Sequence, residues 1–319
     1  MERISANFKT GLRDDPYHIT VLTDEVIEGL NVRHGKQYID ATLGGGGHSF
    51  EIIQRGGRVL GIDADKDAIE YVNKKFEIRF SQENLLGASN SKFEIGKDLI
   101  LVHGNFRDLG EIARNAGFTK VAGIIFDLGT SRHQLKTVGR GFSFQSDEEL
   151  DMRMDKGQVL TAKNVINNLG EKELYEIFTK FGEEKLARSI AHAIVGARYI
   201  KPIETTEELA IIVRFIKKTR EKTDAATKVF QALRIYINRE FENLKEGLVQ
   251  GEKVLEKDGR MAVISFHSLE DRIVKNFYRN GQNLGEIEVL TKKPITALDV
   301  ELKQNPSARS AKLRIAIKL

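Results

Sequence analysis

Four consecutive glycines, Gly44 to Gly47, interrupt an apolar stretch in the first part of the chain. The residues before them have the pattern of a buried strand that ends at Asp40, and a helical pattern starts near His48. Glycine tolerates positive φ and lets a backbone approach a ligand closely. The first N–H groups of the helix would point back at the loop, which suits an anionic or polar ligand. The stretch predicts a nucleotide-like cofactor site, with a structural strand-to-helix turn as the alternative.

Further apolar strands follow the glycine loop at intervals typical of a βα fold. One strand ends at Asp63, another leads into Phe106, and a later one ends at Asp127. Alternating strands and helices predict a mostly parallel sheet with ligands at the carboxyl ends of its strands. We therefore expect Asp40, Asp63, Phe106 and Asp127 to converge on one sheet edge. Each acid taken alone could equally be a helix cap or a loop residue.

The βα rhythm stops between about residues 137 and 223 and then resumes. Within that interval the apolar spacing predicts helices at roughly 162–168, 171–181, 183–199 and 206–218. We therefore predict a sheet domain in two parts, residues 1–136 and 224–319, interrupted by a helical substrate-recognition subdomain at 137–223.

The resumed part is predicted to begin with one long amphipathic helix from Val229 to Leu255. A strand at 259–266 follows it. Ser268 and Asp271 then have the spacing of a capping box at the start of the next helix. Two late strands are separated by a polar loop that carries Lys292, Lys293 and Arg309.

One predicted helix of the insertion has two distinct faces. Leu186, Ile190, Ile194 and Ala197 form an apolar face, and a second face carries Lys185, Arg188 and His192. The second face is either solvated surface or a phosphate-contacting face. Arg153 presents the same choice between a phosphate contact and an ion pair with Asp151 or Asp155.

Composition excludes several classes of site. The 319 residues include no cysteine, which rules out disulfides, thiolate metal sites and cysteine nucleophiles. The seven histidines are scattered without metal-ligand spacing, so no required metal is predicted. A net charge of +4 admits nucleic acid as a partner. No signal-like or membrane-spanning apolar run is present, so we expect no membrane association and a cytoplasmic location.

The glycine loop fits S-adenosylmethionine better than NAD or a nucleoside triphosphate. A dinucleotide fingerprint needs a third glycine or alanine three places after its second glycine. In this chain that place is Ser49 or Phe50, depending on which glycine comes first, so the NAD interpretation is weakened. A P-loop needs a lysine immediately before Ser49, where this chain has histidine. S-adenosylmethionine has no phosphates. It needs close backbone approach, an acid for the ribose hydroxyls and an apolar wall for adenine. The glycines, Asp63 and Phe106 provide these in the usual chain order.

Several long motifs also resemble those of one family, the bacterial 16S ribosomal RNA cytosine-N4 methyltransferases, also called RsmH or MraW. The matching stretches run through the whole chain, at 18–22, 40–49, 103–106, 127–129, 140–144, 150–155, 230–235, 264–274 and 307–314. Two places differ from the family pattern. They are 130–133, before Gln134, and 224–228, before Phe230.

The resemblance implies a class I S-adenosylmethionine-dependent methyltransferase fold, α/β and Rossmann-like, with an inserted all-helical subdomain. It implies methylation of the N4 amino group of a cytidine in the decoding region of 16S rRNA. The partner would be that RNA or the small ribosomal subunit, and the oligomeric state stays open. Together with the loop pattern, the resemblance gives these cofactor-binding residues: Gly44, Gly45, Gly46, Gly47, His48, Asp63, Phe106, Asp127 and Gln134.

We expect Asp127 to be the catalytic residue. With no cysteine to attack C6 of cytosine, an exocyclic nitrogen or a ribose oxygen is the expected methyl acceptor. A carboxylate that holds one amino N–H can direct the nitrogen at the methyl carbon. Phe142, Phe144 and Phe266 are candidates to stack on a base splayed out of the RNA, or simply core residues. A nicotinamide dehydrogenase and a non-enzymatic RNA-binding assembly factor remain the rival functions.

Overall fold

The computed structural model describes residues 20–85, 94–137, 139–145, 147–217 and 224–319. They divide into two compact units, a sheet unit up to Ser131 and from Glu242 to Leu319, and a helical unit from Arg132 to Phe241. The polar sequence of residues 1–19 predicts an irregular segment, and these residues lie outside the described ones. Within the described ranges no helix is both long and apolar enough to cross a membrane.

A seven-stranded sheet forms the centre of the sheet unit, as far as the chain is described. Its strands are β1 (Gln37–Asp40), β2 (Arg58–Asp63), β3 (Leu99–His103), β4 (Val121–Asp127), β5 (Leu255–Ser265), β6 (Ile287–Val289) and β7 (Lys312–Lys318). They are ordered β3-β2-β1-β4-β5-β7-β6. All pairs among the first five strands are parallel, and β7 is antiparallel to both β5 and β6. The mostly parallel sheet predicted from the sequence is confirmed.

Helices cover both faces of this sheet. They are α1 (Thr23–Leu30), α2 (Gly47–Gln54), α3 (Lys66–Leu85), α4 (Leu109–Asn115), α11 (Glu240–Val254), α12 (Ser268–Leu284) and α13 (Asp299–Gln304). Successive strand residues point to opposite faces, so Tyr38 joins a core with α1, α2 and α3, while Ile39 joins a core with α4, α11 and α12. Both cores contain buried residues from several strands, which fixes the strand register.

Two predicted boundaries in the sheet unit were wrong. The sequence predicts a helix over 65–80 followed by a surface excursion over 81–98, but helix α3 continues to Leu85; residues 86–93 lie outside the described residues. Strand β5 begins at Leu255 rather than at residue 259. It starts early because Val121 already pairs with Leu255, and a bulge follows before the regular register resumes at Arg260.

The helical unit consists of short amphipathic helices around their own core. They are α5 (Arg132–Lys136), α6 (Ala162–Asn168), α7 (Glu171–Gly182), α8 (Ala187–Ile200), α9 (Thr206–Lys217) and α10 (Thr227–Asn238). Helix α7 packs against both α8 and α10, and α8 packs against α9. At Gly182 a Cβ would lie 2.6 Å from the carbonyl oxygen of Lys228, so glycine permits the close approach of α7 and α10. Because α10 packs on α7, the compact unit extends beyond the predicted limit at residue 223.

The long helix predicted from Val229 to Leu255 is two helices. It is interrupted at Arg239, which has a φ of 51° and caps α10 in the left-handed region. The Arg234 guanidinium makes two hydrogen bonds with the Glu240 carboxylate across the break, at 2.8 and 2.9 Å. Asn238 also donates to the carbonyl of Met152, in a loop distant in sequence. These contacts take the place of the regular backbone hydrogen bonds of a helix at the break.

The predicted faces of α8 need one correction. Ile190 and Ile194 are fully buried, but Leu186 is 39% exposed because it precedes the helix as its N-cap. On the other face, the Arg188 guanidinium lies 5.5 Å from the Tyr175 ring centroid, and His192 contacts the Glu171 carboxylate at 3.0 Å. Both are exposed surface contacts within the helical unit.

Candidate functional site

The glycine loop connects the carboxyl end of β1 to the first turn of α2. Gly46 caps α2 with a φ of 73°, and a Cβ there would approach the side chains of Val72 and Phe76 to 3.1 Å. The Lys75 ammonium donates to the carbonyl of Gly45 at 2.8 Å and so fixes the loop from the neighbouring helix. The positive φ and the close packing both require a residue without a side chain.

Asp63 lies at the carboxyl end of β2 and is tied directly to this loop. Its carboxylate accepts the N–H of Gly44 at 2.8 Å through Oδ2 and the N–H of Asp65 at 2.8 Å through Oδ1. Burial raises the pKa of the Asp63 carboxyl to about 6, although both N–H donors lower it. The residue as a whole is only half-buried, so part of it can be reached by a ligand.

Asp40, the first of the strand-end acids, has a structural role. Its side chain is 1% exposed, and Oδ2 accepts the Ser49 hydroxyl at 2.7 Å. Burial raises the pKa of the Asp40 carboxyl, while His48 and the Ser49 hydroxyl lower it. Asp40 thus joins the end of β1 to the first turn of α2 beneath the loop.

Asp127 ends β4 and lies beside the first turn of α2. Its Oδ2 is 3.5 Å from His48 Nε2, and both side chains are almost completely buried. The backbone N–H of Asp127 donates to the Thr42 hydroxyl at 2.6 Å, which joins β4 to the segment leading into the glycine loop. Neither ring nitrogen of His48 has a hydrogen-bond partner among the described residues.

Phe106 follows β3 at the same edge of the sheet. Its ring packs edge-on against Phe126 with the centroids 5.6 Å apart, and Gly247 on α11 approaches it closely. The N–H of Gly104 donates to the carbonyl of Asp63 at 2.9 Å, which brings the turn before Phe106 next to the end of β2. The half-buried ring is therefore held on one side by protein.

The remaining predicted residues have other surroundings. Gln134 is buried on α5 in the helical unit. In that unit Phe142 is also buried beside the Arg140 guanidinium, and Phe144 packs edge-on against Phe230 at 5.0 Å. Phe266, in the sheet unit, is half-buried, and a Cβ added at Gly129 would lie 3.5 Å from its ring.

Arg153 organises its own loop in the structure. Its guanidinium makes two hydrogen bonds with the Asp151 carboxylate, at 2.7 and 2.8 Å, and two more with the carbonyls of Lys156 and Gln158. Of the two interpretations, a phosphate contact or an ion pair, the structure shows the ion pair with Asp151.

The predicted capping box at Ser268 and Asp271 was wrong by one residue. His267 is the N-cap of α12, its Nδ1 accepting from the Glu270 N–H at 3.3 Å while the Glu270 carboxylate accepts the His267 N–H. Asp271 instead forms a two-point ion pair with Arg314 on β7, with the shorter bond at 2.6 Å.

Two residues that hold the site were missed from the sequence. Thr42 lies inside the recognised stretch, but nothing in its neighbours indicates that its hydroxyl accepts the Asp127 N–H. Lys75 is one of several lysines on α3, and only the packing of that helix shows which lysine reaches Gly45. Among the described residues no cluster of three or more histidine or acidic side chains is placed to hold a metal ion.

Comparison with known proteins gives concordant results. A model of the MraW methylase family matches residues 15–319. Ribosomal RNA small subunit methyltransferase H of Persephonella marina is 47% identical over 304 residues, which are 94% of this chain and 98% of the relative. The proteins of the same name from Carboxydothermus hydrogenoformans and Koribacter versatilis are 43% and 42% identical. The first match covers 95% of this chain and 98% of the relative, and the second covers 94% and 93%.

Proposed function

The chain belongs to the MraW methylase family, and from that premise we propose that it methylates the N4 amino group of a cytidine in the decoding region of 16S rRNA. The name shared by its relatives supports small-subunit rRNA as the substrate class. The chain-long motif resemblance supports the finer choice of a cytosine amino nitrogen in the decoding region.

S-adenosylmethionine is the methyl donor of this family, and the predicted class I methyltransferase fold is confirmed. The site fits that cofactor. The glycine loop permits close backbone approach, His48 offers buried ring nitrogens, and the Asp63 carboxylate can accept ribose hydroxyls. Phe106 offers an apolar surface for adenine, and Gln134 stays a proposal taken from the family motif. The nicotinamide alternative is set aside because the family is one of methylases.

The position of Asp127 carries the proposal for catalysis. Bound S-adenosylmethionine would supply a methyl group on a positively charged sulfur; as the amino nitrogen bonds to the methyl carbon, the carbon–sulfur bond would break and S-adenosylhomocysteine would leave. The cytosine amino group is a weak nucleophile because its lone pair is delocalised into the ring. The Asp127 carboxylate, at the end of β4 beside the loop, can accept one N–H of that group and orient the nitrogen. The same carboxylate can take the proton that leaves as the new N–C bond forms.

The composition supports an amino nitrogen as the methyl acceptor. Transfer to C5 of cytosine normally uses a cysteine that attacks C6, and this sequence contains none. Transfer to N4 needs no covalent attachment of the base to the protein. The reaction then depends on holding the amino group in line with the methyl group and excluding water around it.

The test measures turnover and cofactor binding separately in Asp127→Ala and Asp127→Asn. Both variants should fold, because the backbone N–H bonded to Thr42 is unchanged. We expect methyl transfer to small subunits to fall by about 10²-fold or more, the usual contribution of a proton-accepting group. Asp108→Ala, which removes an exposed carboxylate that follows β3 at the same edge of the sheet, is the matched control and should keep full activity. Near-normal turnover by the folded Asp127→Ala protein would reject the assignment.

A further inference from the structure

Four cations outside the cofactor site lie together at one end of the sheet. Lys292 and Lys293 follow β6, Arg309 is in the short 3₁₀ turn Pro306–Ser310, and Lys312 is the first residue of β7. We name these four residues the basic edge. Three of them are exposed, and Lys312 is half-buried.

Backbone pairing fixes where the basic edge lies. The chain after β6 runs along β7, with the Thr291 N–H donating to the Ile315 carbonyl and Ile295 and Leu313 exchanging hydrogen bonds at 2.9 and 2.8 Å. Lys292 and Lys293 lie between these two points. Because β7 is antiparallel to β5, its first residues stand at the carboxyl end of β5, where Lys312 pairs with Ser265. The four cations therefore border the same sheet edge as Asp63 and Asp127.

The distance from the basic edge to the catalytic candidate follows from the register. Asp127 pairs with Ile264, and Ile264 pairs with Leu313 on the next strand. Two strand spacings amount to about 10 Å, which separates the backbone at Asp127 from the start of β7. A nucleotide chain whose base reaches Asp127 would have neighbouring phosphates within reach of this border.

The charge of this segment is concentrated and uncompensated. Residues 290–312 contain five cationic and two acidic side chains, a net +3 in a chain whose total is +4. One of the two acids, Glu301, is engaged by the N–H of Leu22 at 2.8 Å. Among the described residues, no ion pair or hydrogen bond involves the cationic groups of these four side chains; the Ser265 hydroxyl donates only to the backbone carbonyl of Lys312.

Other cations of the sheet unit are used differently. Arg314, two residues after Lys312, is held by Asp271, and Arg260 and Lys318 donate to backbone carbonyls. Cations that stabilise this fold are thus bonded to protein acceptors. The basic edge has positive charge at the sheet edge that carries Asp127, without such acceptors, which is the arrangement expected for contacts with phosphates.

We propose that the basic edge binds the phosphate backbone of the RNA substrate on the side of β7, and so positions the target nucleotide at Asp127. This inference rests on the proposed function, since it requires RNA as the partner. It assigns a role to the sequence 307–314, a stretch that the cofactor site does not use. Contacts of this kind supply affinity and register rather than base specificity.

The experiment measures RNA binding as a function of salt, separately from catalysis. The probe is a short fluorescein-labelled single-stranded RNA, and the readout is anisotropy over a series of potassium chloride concentrations. The variants are Lys292→Gln/Lys293→Gln and Arg309→Gln/Lys312→Gln. The matched control is Lys120→Gln/Lys257→Gln, which removes two exposed cations before β4 and in the early bulge of β5, at the opposite end of the sheet. Titration with S-adenosylmethionine checks that each variant keeps the cofactor site.

Each double variant of the basic edge should bind RNA several-fold more weakly and lower the salt slope by about 1.4, or about 0.7 for each lost phosphate contact. Cofactor affinity should stay at the wild-type value, and the control should keep the wild-type slope. An unchanged slope in both basic-edge variants would overturn the proposal, as would an equal loss in the control. If the wild-type protein binds RNA normally but transfers no methyl group, the proposed function fails while the basic edge stands.

Discussion

The raised pKa of Asp63 makes a quantitative prediction about cofactor binding. Burial raises the pKa of this carboxyl from 3.8 to about 6, which corresponds to about 3 kcal/mol of unfavourable free energy for the ionised form in the folded protein. Because the folded pKa is raised, Asp63 contributes most to stability below about pH 4. That contribution is lost as the pH rises through 6. Cofactor binding should have the opposite pH dependence.

A ribose hydroxyl donates best to the ionised carboxylate of Asp63. At pH 5 that form requires loss of a proton from a group with a pKa of about 6, so affinity should be up to about tenfold weaker than at pH 7.5. S-adenosylhomocysteine is a suitable ligand because it cannot react. Isothermal titration between pH 5 and pH 8 should give an affinity that rises and then levels off above pH 6.

Asp63→Asn should remove this pH dependence and weaken binding at pH 7.5. The loss of charge-assisted hydrogen bonds, about 1.5 to 3 kcal/mol, corresponds to about 10- to 150-fold in affinity. The asparagine oxygen can accept only one of the two N–H groups of Gly44 and Asp65, which costs about 1 to 3 kcal/mol. Removal of the buried charge offsets that cost, so urea unfolding near neutral pH should change little.

The control for Asp63→Asn is Asp108→Asn, an exposed carboxylate after β3 that should leave both the affinity and the pH profile unchanged. The reasoning would be refuted by a wild-type affinity that is flat between pH 5 and pH 8. It would also be refuted if Asp63→Asn bound S-adenosylhomocysteine as tightly as the wild type at pH 7.5.

Three further predictions concern the loop, the sheet and the helical unit. Gly46→Ala places a side chain at a φ of 73° against Val72 and Phe76, so thermal unfolding should show a loss of about 1 to 2 kcal/mol together with weaker cofactor binding. Asp271→Ala leaves the buried Arg314 guanidinium without its carboxylate and should cost about 3 to 5 kcal/mol in urea unfolding, whereas Asp271→Leu/Arg314→Met should cost much less. Gln134→Ala should weaken S-adenosylmethionine binding in a titration without unfolding the protein, and an unchanged affinity would remove Gln134 from the cofactor site.

The order of the strands in the sheet unit could be predicted because each strand has a strong local pattern. Helix α4 was not predicted, and α13 and a short 3₁₀ turn lie where the sequence indicated only a polar loop. By contrast, acids followed by apolar residues at 23–30 predict a short helix, and α1 lies at Thr23–Leu30. The strands are short apolar runs bounded by glycines and acids, so their positions were also predicted closely. Local patterns also located the carboxyl edge, since a parallel sheet brings all its strand ends to one side.

Local patterns could not distinguish the three strand-end acids. Asp40, Asp63 and Asp127 all follow apolar strands, yet Asp40 is bonded to the Ser49 hydroxyl under the loop, and Asp63 accepts N–H groups at its rim. The difference arises from the path of the glycine loop, which places the first turn of α2 over the end of β1. That path depends on positive φ at Gly44 and Gly46, and a sequence of four glycines does not specify which of them adopt it.

The break at Arg239 shows a second limit of sequence patterns. The apolar spacing continues through this residue, so periodicity alone predicts one helix. The break is stabilised by contacts distant in sequence, above all the hydrogen bond from Asn238 to the carbonyl of Met152. The cap of α12 was misplaced because Ser268 and Asp271 match the capping pattern, whereas His267 is not one of the usual capping residues. In the structure His267 caps the helix, and the Asp271 carboxylate is bonded to Arg314 instead.

The central claim is methyl transfer to N4 of a cytidine in the decoding region of 16S rRNA. Its most direct test uses tritium-labelled S-adenosylmethionine and small ribosomal subunits from cells that lack the modification. The decoding-region fragment is then isolated by hybridisation and digested to nucleosides. We expect the label to co-elute with N4-methylcytidine from that fragment, and to be lost with Asp127→Ala. Label in 5-methylcytidine, label confined to another region of the RNA, or no transfer by a protein that binds the cofactor would contradict the account.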